Sequence, residues 1–144
     1  GLSEAYTADR IQENAQEDWQ FLRSVAAVPF TQSEKDFGYF VYAPDVFAYQ
    51  LKYSMVYHSK RVPPTRHIYP LQKQPVTYLI LASPTGTGRE LSVREWKTQK
   101  VRISKKPIKA FRLNHDYVVE KYYLTPEEIA IAPDFDMQEM IHFR

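Results

Sequence analysis

The chain has 144 residues, of which 44% are hydrophobic and 25% charged, a globular mix that fits one domain and excludes a disordered or fibrous chain. Cys is absent, which rules out disulfides, thiolate metal sites and a cysteine nucleophile, and no apolar run approaches the roughly 20 residues of a membrane-spanning helix. A net charge of +2 hides strong segregation: residues 1–36 carry seven acids and three bases, residues 45–112 three acids and fourteen bases, and residues 113–144 seven acids and two bases.

The opening pattern is helical. Ile11, Ala15, Trp19, Leu22 and Ala26 recur at steps of three and four, which stacks them on one stripe, and Phe21, Val25 and Val28 widen it. Asp9, Glu13, Glu17 and Asp18 fall on the wet side, so an amphipathic helix is expected over residues 1–28, stopped by Pro29. Gly1 rather than Met opens the chain. It therefore reads as a processed product, with an upstream signal or anchor and an extracytoplasmic, membrane-anchored setting expected over a cytoplasmic one.

Residues 37–58 admit two readings. A helix after Pro44-Asp45 aligns Phe47, Leu51 and Met55 at i+4 steps but sets Tyr49, Tyr53 and Tyr57 on the opposite side, leaving a helix apolar nearly all round. Counting by twos, Phe47, Tyr49, Leu51, Tyr53, Met55 and Tyr57 alternate with small or polar residues, the mark of a half-buried strand. The strand is preferred, paired in a hairpin with Phe37–Ala43 across the Pro44-Asp45 turn.

Prolines make 61–75 a loop. Val76–Ala82 (VTYLILA) is a continuous apolar run between Pro75 and Pro84, as expected of a strand buried on both faces. A glycine-rich turn follows at Thr85–Gly88, and Trp96–Ser104 alternates as a strand with Val101 and Ile103 on one face. Phe111–Leu113 and Tyr117–Leu124 form a hairpin around Asn114-His115-Asp116, and Thr125-Pro126-Glu127-Glu128 opens a capped helical turn. The expected fold is α+β: one long N-terminal amphipathic helix packed on a mainly antiparallel sheet of five or six strands. It forms a single domain over 1–144, with the helix at 1–28, the sheet at 37–124 and an acidic segment at 125–144.

Catalytic motifs fail on inspection. A phosphate loop at 83–90 would need Gly, Lys and Ser/Thr where the chain has Ser83, Arg89 and Glu90. His58, His67, His115 and His142 lack ligand spacing, and Glu127-Glu128 suit a helix N-terminus better than acid–base work. No catalytic residue, metal or cofactor is expected. Two features remain. Lys97, Lys100, Arg102, Lys105, Lys106, Lys109 and Arg112, interleaved with Trp96 and Phe111, are candidates to meet an anionic partner, unless the acidic ends fold back and neutralise them. Tyr49, Tyr53 and Tyr57 are candidates for a pocket wall, unless they are core.

The expected function is a non-catalytic binding domain, the soluble part of a membrane-anchored protein, whose basic centre faces a protein or another anionic surface. One alternative is a nucleic-acid-binding module using 97–112, with bases stacked on its aromatics. The other is an enzyme or ligand-binding domain with a tyrosine-lined pocket for a small molecule of unknown identity.

Overall fold

The computed structural model describes residues 19–43, 47–82, 93–114 and 116–136, with Phe47 and Ala48 described by backbone alone. Among these residues five strands form one sheet: β1 (Phe37–Tyr42), β2 (Ile68–Pro70), β3 (Val76–Ala82), β4 (Lys109–Arg112) and β5 (Tyr117–Tyr123), in the order β2-β1-β3-β5-β4. The helical segments are α1 (19–32), α2 (Phe47–Ser59), α3 (93–101) and α4 (Pro126–Ala130). The fold is α+β, as expected, but the sheet is mixed rather than mainly antiparallel. β1 runs parallel to both β2 and β3, and only the β3–β5 and β4–β5 pairs are antiparallel.

The difference traces to residues 47–59, which are helical where a strand was expected. A pattern of period two also satisfies a helix, because each i+4 step is an even step: Leu51 with Met55 forms one row and Tyr49 with Tyr53 another. The helix buries Leu51, Ser54 and Met55 against β1 and turns Tyr49 and Tyr53 outward. With a helix between β1 and β2, the chain returns to the amino end of β1, and the two strands run parallel.

α1 occupies only 19–32 of the described residues, so residues 1–18 of the expected helix lie outside them. Pro29 does not end it. The helix continues to residue 32, losing the one hydrogen bond that the proline nitrogen cannot donate to the Val25 carbonyl. Packing compensates: Leu22, Val25 and Ala26 are buried in the core, and Phe30 meets Phe37 edge-on at 5.1 Å between centroids. The expected strand over Trp96–Ser104 is replaced by α3, whose last six residues, Trp96–Val101, are π-helical. In that wider turn Trp96 and Val101, five apart, both reach the same apolar cluster, and Arg102 in a left-handed conformation (φ 63°) ends it.

β3 is buried on both faces, as its sequence implies. On one face Tyr39, Val41, Tyr78, Ile80 and Val119 pack beneath α1 and α2; on the other Phe40, Leu79, Leu81 and Tyr122 pack beneath α3, α4 and the 131–136 segment. β2 stands where the prolines predict a loop. It pairs over only three residues, at the sheet edge, where Pro70 sacrifices no ladder bond.

A short strap, residues 71–75, carries the chain from β2 to β3. Gly38 is in register with Tyr69 on one side and Thr77 on the other, so the strap must cross over it. It begins at Leu71 in a left-handed conformation (φ 56°), whose N–H donates to the Tyr39 carbonyl at 2.9 Å. Buried Lys73 pins its middle: the ammonium donates to the carbonyls of Arg102 at 2.7 Å, Ile131 at 2.7 Å and Glu128 at 3.3 Å. No helix among the described residues is long and apolar enough to cross a membrane.

Candidate anionic-partner surface

The seven predicted basic residues do not share one strand. Lys97 and Lys100 sit on the π-helical turn, Arg102 at its left-handed end, Lys105 and Lys106 in the following loop, and Lys109 and Arg112 on β4. Among the described residues, Lys97 and Lys105 are held by carboxylates from later in the chain. Lys97 Nζ lies 3.7 Å from Glu120 Oε1, which also accepts the Tyr122 hydroxyl at 2.6 Å. Lys105 Nζ lies 2.9 Å from Glu128 Oε1 and donates to the Tyr123 carbonyl at 2.6 Å. The Arg102 guanidinium donates to the Ala132 carbonyl at 3.4 Å.

These contacts set the local electrostatics. Burial pushes the Tyr122 phenol well above its ordinary range, and its hydrogen bond to the Glu120 carboxylate and that group's charge add to the shift. Tyr122 is therefore a fixed donor to Glu120. The Lys105 hydrogen bond, followed by the Thr125 N–H, brings the Glu128 carboxyl down to about 2. Burial is also the main cause lowering Lys73, with Arg102 adding to it and Glu128 opposing it.

Lys106, Lys109 and Arg112 remain exposed and, among the described residues, without an ion pair. Lys109 and Arg112 are three apart on β4, so their side chains leave opposite faces of the sheet. On the Lys109 face the register sets Lys121 of β5 directly opposite. Lys109 Nζ sits 4.8 Å from the Phe111 ring centroid, and Lys121 Nζ sits 5.4 Å from that of Tyr123 and donates to the Gln32 carbonyl at 3.2 Å. Like charges facing each other across strands are destabilising. Lys121 is absent from the predicted basic set although the Asn114 turn places it opposite Lys109. Asn114 Oδ1 accepts the N–H groups of Asp116 and Tyr117 at 2.8 and 3.1 Å, and this turn fixes the register that joins the two lysines.

The aromatic partners expected for stacked bases are engaged elsewhere. Trp96 packs 5.3 Å from Tyr42 and 6.4 Å from Phe135, and Phe111 lies against the core beneath Lys109. Of the predicted tyrosine row, Tyr49 and Tyr53 are 55% and 65% exposed on the outward side of α2, while Tyr57 turns toward α1. They do not share a face with buried Leu51 and Met55, as a strand would require.

His58 Nε2 lies 3.1 Å from the Arg23 carbonyl; His115 and His142 fall outside the described residues, as does the 83–90 segment. Among the described residues no three His, Cys, Asp or Glu side chains are grouped to hold a metal. An open crevice of about 580 Å³ at the amino ends of β1 and β3 is lined by Glu34, Lys35, Asp36, Thr65, Arg66 and Gln74. Two of its charged groups serve the backbone: Arg66 donates to the carbonyls of Ser33 and Lys35, and Asp36 accepts the His67 N–H at 2.8 Å. Comparison with protein-family models, curated proteins and solved structures finds no match, so the functional reading rests on this chain's own residues.

Proposed function

We propose that the chain is a non-catalytic interaction domain that takes an anionic partner on the corner formed by β4, β5 and the loop before them. The carrying observation is Lys109 opposite Lys121, two cations in register with no carboxylate on their face of the described β4 and β5 strands. An anion bridging the two ammonium groups relieves their repulsion, and Lys106 and Arg112 extend the positive edge. Electrostatic steering by such a corner needs no pocket, and β4, as the outermost strand, is open to a macromolecular surface.

The test is a salt titration of binding to a polyglutamate peptide and to mixed-sequence single-stranded RNA. Binding that weakens as salt rises, and falls roughly tenfold in a Lys109→Gln/Lys121→Gln variant, is the expected result. Absence of binding to both polyanions at low salt overturns the proposal, since attraction is strongest there. Preference for RNA over polyglutamate moves the partner to nucleic acid.

A further inference from the structure

The helical layer carries a second surface that involves none of the β4–β5 corner residues. Neither α1 nor α2, over their described lengths, contains an Asp or Glu. Between them, rings alternate with guanidinium groups. Arg23 Cζ lies 5.3 Å from the Trp19 ring centroid and 4.6 Å from that of Tyr57, and Arg61 Cζ lies 3.4 Å from the same Tyr57 ring. Arg61 also donates to the Tyr57 carbonyl at 2.9 Å, and Lys60 beside it is exposed. Along the outward side of α2 stand Tyr49, Tyr53 and Val56, the last 42% exposed.

We infer that this face docks onto an anionic phospholipid surface. Three features select that partner. Over their described residues, 19–32 and 47–59, the two helices carry bases and no acid, so a negatively charged surface is complementary to this stretch. Its exposed apolar groups are largely tyrosines, whose amphipathic rings suit the headgroup level of a bilayer, with lysine and arginine reaching lipid phosphates. The outward side of a single helix is convex, which matches an extended flat surface better than a groove-seeking peptide. Arg61, held over the Tyr57 ring and by the Tyr57 carbonyl, has further donors for phosphate oxygens and loses little rotamer freedom on binding.

Co-sedimentation with vesicles tests this. Vesicles of phosphatidylcholine alone are compared with vesicles containing phosphatidylserine, using the full chain, the single variants Tyr53→Ser and Arg61→Gln, and Lys109→Gln/Lys121→Gln. The chain is expected to sediment with the anionic vesicles only. Partitioning should fall about fivefold in Arg61→Gln and measurably in Tyr53→Ser, and stay unchanged in the β4–β5 variant. Unaltered far-UV circular dichroism and melting temperature in the variants exclude misfolding as the cause. Failure to bind anionic vesicles at low salt overturns the inference, as does a loss confined to the β4–β5 variant. Binding of polyglutamate that is lost in Arg61→Gln while vesicles are ignored also overturns it, and assigns the face to an acidic protein.

Discussion

A Cβ atom on Gly38 would lie 1.9 Å from the carbonyl oxygen of Gln72. Gly38 is thus required by close approach, where the strap crosses the face of β1, and not by any unusual backbone angle.

Gly38→Ala should therefore destabilise the protein. The obstructing atom is backbone and cannot swing aside, so the strap has to lift, and Leu71 and Lys73 with it. A loss of at least about 2 kcal/mol is expected, read as a fall of roughly 6 °C or more in melting temperature. An unchanged melting temperature would show that the strap moves freely.

Lys73→Met removes the ammonium while keeping an apolar stem of similar length. The carbonyls of Arg102, Glu128 and Ile131 then lose a donor in a part-buried setting. A loss of about 2–4 kcal/mol is expected, with faster amide exchange in α4 and in residues 131–136. Wild-type stability in this variant would mean that water satisfies all three carbonyls.

Alkaline stability should be governed partly by Tyr39 and Tyr122. Burial raises both phenols above their ordinary value of 10.0, so they stay protonated in the fold while the unfolded chain ionises them. Above pH 10 the unfolded state binds fewer protons, and stability falls by about 1.4 kcal/mol per pH unit for each tyrosine. Urea unfolding at successive pH values reads the slope, which should become shallower in Tyr122→Phe. Lys73, with its lowered value, acts in the opposite sense just below its unfolded value of 10.5, so the phenylalanine variant isolates the tyrosine part.

At the acid end the informative group is Glu128. Its carboxylate accepts from Lys105 at 2.9 Å and from the Thr125 N–H at 2.9 Å, closing a capping box at the start of α4. The stabilisation it supplies is complete above its unfolded value of 4.5 and is lost as pH falls toward about 2. Carboxyl NMR titration should find its midpoint raised in Lys105→Gln; an unmoved midpoint would assign the shift to the cap alone.

The legible parts of the fold were those decided by neighbours in the chain. β3 declares itself as a seven-residue run, apolar but for Thr77, between prolines, β5 and β4 by the Asn114 turn, and α4 by Thr125 with Glu128 three residues on. α2 was ambiguous in principle, since Leu51–Met55 and Tyr49–Tyr53 spacings serve both periods, and exposure of two tyrosines decided it. β2 has three residues and exists only because β1 offers an edge. The charge map misled for a related reason. Lys97 and Lys105 sit among bases in sequence, but Glu120 and Glu128 reach them from 23 residues away. The Lys109–Lys121 pair needs only the hairpin register, and so is legible in the sequence.

The strap over Gly38 also constrains the order of assembly. Five residues join two neighbours of the same strand, so β2 and β3 cannot both be in place before β1 lies beneath the bridge between them. β1 is clasped like a finger in a ring, and pulling the chain from its amino end should meet the highest mechanical resistance at Phe37–Tyr39, before the rest of the sheet yields.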